Sequence, residues 1–290
     1  MSLVKFTNDP IVKRFRRVMI GVMIFSAVVT LLGQPDSFWR QAETAIRADG
    51  LSIDNKTNHT FEFFIGRGWQ VYLIANMVYL LGAFLLVSVL PRVAAITVIF
   101  SVIFGHYFGA SNWLAIRWHL GVQGPLIYSL VLGPVIVFSA FPETSSNTDK
   151  IIKRLRWVMV GALLLDMIVT FIGQPASYWS YPETVHEANQ LSRFFLMQGW
   201  YTYLLEQLVY CALAFLLVSA LPRMWALIFI FCFIFGGFNG SSCWFFFQWR
   251  LGMQTPVIYG LILSLLIVLL AFPEAMIKGK KLNNVLEPVA

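Results

Sequence analysis

The sequence predicts an all-α integral membrane protein, with eight transmembrane helices arranged as two parallel four-helix repeats. Three observations lead there. The 290 residues are 58% hydrophobic and only 12% charged, against roughly a quarter charged in soluble domains, and the mean hydropathy is +0.72. Eight apolar runs are separated by polar segments. The second half of the chain repeats the first.

The runs of the first half are Val18–Gly33, Trp69–Leu90, Val93–Trp113 and Val122–Phe141. Those of the second are Val158–Gly173, Trp200–Leu221, Met224–Trp244 and Met253–Phe272. Crossing a ~30 Å hydrocarbon core takes about 20 helical residues, within a range of about 17–25. The first run of each half is short, so its helix is expected to borrow a turn from its flanks. Pro91 and Pro222 each split a continuous apolar stretch, because proline cannot continue a helix but suits a tight connection. Lys13, Arg14, Arg16 and Arg17 precede the first run as in a signal peptide. No A-x-A site follows, and the same pattern recurs within the chain, so the run is read as a retained helix.

The duplication is carried by particular residues. Lys13–Arg14–Phe15–Arg16 returns as Lys153–Arg154–Leu155–Arg156, and Gly33–Gln34–Pro35 as Gly173–Gln174–Pro175. Ala83–Phe84–Leu85–Leu86–Val87–Ser88 and Leu90–Pro91–Arg92 return as Ala214 to Ser219 and Leu221–Pro222–Arg223. Trp113, Trp118, Pro125 and Tyr128 match Trp244, Trp249, Pro256 and Tyr259. Similarity over nearly the whole chain marks an internal repeat, with residues 1–145 as the first unit and 146–290 as the second.

Charge orients the spans. Fourteen of the 21 Lys and Arg residues fall on one predicted side and seven on the other. The positive-inside rule then places both termini in the cytoplasm of a multi-pass cell-membrane protein. An even number of helices per unit inserts both units the same way up. The net charge of +7 follows from that placement and asks for no nucleic acid partner. The expected surroundings are the lipid bilayer, with a membrane-protein partner or a second copy as candidate protein contacts.

Candidate chemistry is sparse. There is no P-loop, no G-x-G-x-x-G after a strand, no H-E-x-x-H and no G-x-S-x-G. Cys211, Cys232 and Cys243 show no metal spacing, and an odd count argues against a disulfide framework. His59, His119 and His186 are expected outside the membrane, which leaves no matched pair to ligate haem. No catalytic residue, metal or cofactor is therefore assigned. Ionisable groups at membrane depth are costly and mark function by default. Asp166, Glu206 and His106 qualify, and their counterparts are Ser26, Ala75 and Gly237. At ~1.5 Å per residue, Glu206 and His106 lie about 10 Å from the outer boundary and Asp166 near mid-membrane.

The outer loops add Gln34 and Glu43, echoed by Gln174 and Glu183, as candidate binding residues. Thr184–x–x–Glu187 has capping-box spacing, which predicts a short interfacial helix from there into the sixth span. Gly105–x–x–x–Gly109 and Gly236–x–x–x–Gly240 predict close helix packing across the seam between the units.

The second and third spans of each unit form a long apolar hairpin with one arginine at its turn, Arg92 or Arg223. This resembles the central hairpin of DoxX-like four-helix membrane proteins. The resemblance covers about half of each repeat and implies a tandem DoxX-like fold, with an accessory role near membrane redox enzymes. An early acid in that family's second helix has a loose parallel in Glu206. The leading functional expectation is transport or binding of a small molecule or ion at an outward-facing site between the units. The rival is a non-catalytic accessory or structural subunit of a membrane complex.

Overall fold

Asp9 starts the first helix. Its carboxylate accepts from the backbone N–H of Ile11 and Val12 at 2.8 and 3.2 Å, and Pro10 follows, where a missing N–H costs nothing. The computed structural model describes residues 9–33, 69–116, 118–140, 146–187, 189–252 and 254–271. Gln34 and Glu43 lie outside the described residues. The helices are α1 (Pro10–Leu32), α2 (Trp69–Val89), α3 (Arg92–Ile116), α4 (Gln123–Ala140), α5 (Ser146–Ile172), α6 (Gln190–Met197), α7 (Trp200–Ala220), α8 (Arg223–Cys243) and α9 (Gln254–Ala271).

Seven of these, all but α4 and the short α6, are long and apolar enough to cross a membrane. In α4 the apolar stretch covers Gln123–Ser139, at the lower edge of the ~17–25 residues a span uses. As their short runs required, α1 and α5 recruit polar flanks and reach 23 and 27 residues. Pro91 and Pro222 turn the hairpins. Their carbonyls accept from Ala95 and Ala226 N–H at 2.8 and 2.9 Å, so each proline opens the following helix.

The connections at the other end also correspond. Trp118 N–H donates to Trp113 O at 3.2 Å, and Trp249 N–H to Trp244 O at 2.9 Å. In the second case the turn Trp244–Gln248 is π-helical. His119 (φ 54°) and Arg250 (φ 53°) follow, both left-handed without being glycine.

The packing is centred on α3 and α8. Of the apolar window in α8, 72% is buried, against 22% in α7, which with α2 forms the lipid-facing periphery. The α1 helix packs on α3, and α5 packs on α8. The largest contact of α4 is with α8, and that of α9 is with α3. The fourth helix of each half therefore covers the third helix of the other.

Aromatic rings fill the junction. Phe100 stacks on Phe231 with centroids 6.1 Å apart, and Phe104 meets Phe235 at 4.9 Å. Phe104–Phe238 at 4.7 Å is mirrored by Tyr107–Phe235 at 4.8 Å. Polar links cross the same junction. Ser111 Oγ donates to Asn239 Oδ1 at 2.7 Å, and the Cys232 thiol donates to Ser129 O at 3.2 Å. Ser242, which matches Ser111 in the sequence, finds Phe108 at the position matching Asn239, and its hydroxyl is buried with no hydrogen-bond partner among the described residues.

The glycine expectation needs correcting. A Cβ built on Gly105, Gly109 or Gly236 meets nothing within 4 Å. The close approach is at Gly237, where a Cβ would come 2.9 Å from the Ala162 carbonyl carbon and oxygen. One residue is about 100° of helix rotation, so Gly237, and not Gly236, is turned to α5. Across the junction, a Cβ on Gly133 would lie 2.9 Å from Cys232 Sγ, and one on Gly260 would lie 3.1 Å from Phe104 Cβ. Small residues do admit close helices here, but of the four motif glycines only Gly240 is closely approached, by Asp166 of its own half and not across the seam.

Candidate functional site

Asp166 interrupts the apolar sequence Leu163–Leu164–Leu165 of α5, and the helix turns its carboxyl inward against α8. Oδ1 is buried and has no hydrogen-bond partner among the described residues. The carboxyl occupies the space beside Gly240, and a Cβ built there would overlap Oδ1. Gly240 is thus the seat of the acid. Its counterpart Gly109 has open space beside it, in the half where Ser26 stands for Asp166.

Two other helices close around this carboxyl. Tyr203 and Tyr210 of α7 and Tyr259 of α9 lie within its electrostatic range. Tyr203 is buried and feels three carboxylates, Asp166, Glu187 and Glu206. On α7, residues 203, 206 and 210 share one face, as spacings of three and four residues require. Glu206 is half-buried, and its Oε2 accepts from Gln207 Nε2 at 2.8 Å; Gln207 also reaches Ser192 Oγ of α6 at 3.3 Å. Among the described residues no group of three or more His, Cys, Asp or Glu side chains is placed to hold a metal ion.

The segment after α5 folds over this end of the site. Gln174 is buried and holds the segment down. Its Nε2 donates to Thr170 O and His186 O at 3.0 and 3.1 Å, and its Oε1 accepts from His186 N–H at 3.0 Å. The Tyr178 hydroxyl donates to Leu196 O at 2.9 Å. Burial pushes that phenol above its ordinary range. Tyr178, Val185, Leu196 and Tyr203 form a small apolar cluster of their own beneath the cover.

The capping expectation is corrected here. Asn189, not Thr184, caps the interfacial helix α6, accepting from Leu191 N–H at 3.1 Å. Thr184 ends a 3-10 turn, Pro182–Thr184, and donates to Tyr181 O at 2.8 Å. Glu187 instead accepts from Asn189 N–H at 2.7 Å while facing the Asp166 neighbourhood.

Of the candidate residues, Asp166 and Glu206 are brought to a common neighbour, Tyr203. Gln174 fixes the cover above them, and Glu183 is exposed on the 3-10 turn. His106 sits in the other half, its ring 5.7 Å from that of Tyr79. Glu187, Tyr259 and Gly240 were not singled out for this site by sequence. Glu187 carried a signal only as the acid of the capping-box spacing, and Gly240 only as part of a packing motif. Comparison with family models, with curated proteins and with solved structures finds no match to this chain.

Proposed function

We propose that the chain is an eight-span transporter of a small cation, protons included, and that Asp166 is the membrane-embedded group that takes up the ion. The observation that carries this reading is the buried, unpartnered Asp166 Oδ1 seated on Gly240. Asp166 lies within the last third of the α5 span, Asp149–Ile172, where an ionised Asp costs less than the about 2.5–3.5 kcal/mol of a helix centre but is still penalised. A carboxyl kept there without a hydrogen bond is stabilised by gaining a proton or a cation. Glu187 and Glu206, spaced around Tyr203, supply a negative approach from the covered end.

The fold that goes with this reading is two parallel four-helix repeats, residues 1–145 and 146–290, related by a pseudo-two-fold axis along the membrane normal. Each has a DoxX-like central hairpin, and both termini are cytoplasmic. The pairing of Phe100 with Phe231 and Phe104 with Phe235 supports it, because residues at matched positions meet at a two-fold axis. The corresponding tryptophan turns support it as well.

The test is proton and monovalent-cation flux into proteoliposomes, comparing wild type with Asp166→Asn and Glu206→Gln. Asp166→Asn is expected to abolish flux with the melting temperature unchanged or raised, since removing an unpartnered buried charge relieves the fold. Glu206→Gln is expected to slow flux several-fold. A folded wild type without flux would sink the transport reading and favour an accessory subunit, to be pursued by co-purification.

A further inference from the structure

At the basic end of the second half, the helices α5, α7 and α8 leave a cleft of about 220 Å³ lined by Asp149, Lys153, Arg156, Ser219 and Arg223, with apolar walls from Ile152 and Val218. Three cations face one anion, so the cleft carries an excess of positive charge. The anion is committed. Asp149 holds Arg223 in two parallel contacts, each 2.7 Å, at Nε and Nη2. Arg156 donates one nitrogen to Ser219 Oγ and lies over the Phe215 ring at 5.2 Å. Its Nε is buried with no hydrogen-bond partner among the described residues. Lys153 is exposed on the same wall.

The other half has the same frame. Arg16 donates to Ser88 Oγ at 2.7 Å and lies over Phe84 at 4.4 Å. Asp9 pairs with Arg92 at 3.2 Å. The second half differs in its rim. Trp157, whose ring lies 5.6 Å from the Phe215 ring that Arg156 covers, and Trp225, next in the chain to the lining residue Ala226, are both largely exposed, where the matched positions hold Arg17 and Ala94. Exposed tryptophan beside basic side chains at the ends of spanning helices marks headgroup depth.

We propose that this cleft binds the phosphate of an anionic lipid headgroup, with Arg156 and Lys153 as its ligands and Trp157 and Trp225 against the glycerol and upper acyl region. Basic pockets between helix ends on the cytoplasmic side are suited to such headgroups, and planar guanidinium groups suit phosphate. The site is independent of whether Asp166 carries an ion.

The experiment uses the full chain in nanodiscs and native mass spectrometry, with phosphatidylglycerol competing against phosphatidylcholine. Wild type is expected to retain phosphatidylglycerol selectively. Lys153→Gln/Arg156→Gln is expected to lose that preference about tenfold or more, at roughly 1 kcal/mol per basic residue. Arg14→Gln/Arg17→Gln, which removes two exposed charges from the same end of the protein without touching Lys13, the match of Lys153, is expected to keep it. Lys153→Gln alone, at an exposed position, should show a loss of several-fold if the double variant does not fold. Equal loss in the two double variants would mean surface potential without a site, and would overturn the proposal. Saturable binding of inorganic phosphate in lipid-free detergent, abolished by the same substitutions and competing fully with the lipid, would overturn the lipid as the source.

Discussion

A carboxyl among leucines is visible in any hydropathy reading, which is why Asp166 could be singled out from sequence. What surrounds it could not. Tyr203, Glu187, Tyr259 and Gly240 come from four separate elements, and only the rotation of each helix brings them to one place. The contact with Gly240 is directly testable. Gly240→Ala sets a methyl group against the Asp166 carboxyl and is expected to cost about 1–3 kcal/mol, read as a lowered melting temperature in detergent. Asp166→Ser installs the residue found at position 26 and clears the space. In that background Gly240→Ala should cost little. The same penalty in both backgrounds would show that the two residues do not touch.

Elements were largely legible, because an unbroken apolar run bounded by proline or by charge leaves the backbone little choice but to close its own hydrogen bonds as a helix. The ends were less legible. Thr184 and Asn189 are both good N-caps by chemistry, and Glu187 settles the matter by binding Asn189 N–H. Helix faces were the least legible, since a glycine motif states a spacing and not a direction. Gly236 and Gly237 are neighbours with opposite surroundings. Gly237→Ala is expected to destabilise, as its Cβ would press on the Ala162 backbone at 2.9 Å. Gly236→Ala meets nothing within 4 Å and should be neutral or gain up to about 1 kcal/mol of helix propensity. Thermal melting of the two variants side by side decides it; equal effects would place the helix in a different rotation.

For the whole molecule, the matched residues of the two halves could be read from the sequence, but the exchange of partners between the halves could not. Two similar units can each close on themselves or on one another with the same contacts, and sequence does not distinguish the two. The eight-span reading makes its own prediction. Tags on the two termini should both be cut by protease in inverted vesicles and both be protected in right-side-out ones. One cut and one protected would require an odd number of spans. The exchange also bears on how the protein is made. On the eight-span reading, α4 enters the bilayer before its main packing surface on α8 has been synthesised. Roughly 80 residues separate Ala140 from Arg223, which at about 5–20 residues per second leaves some 4–16 seconds of waiting. During that interval the first half is an insertion intermediate with an uncovered helix, and ribosomes stalled between α5 and α7 should leave it as the form most readily captured by the insertion machinery or by a second nascent chain.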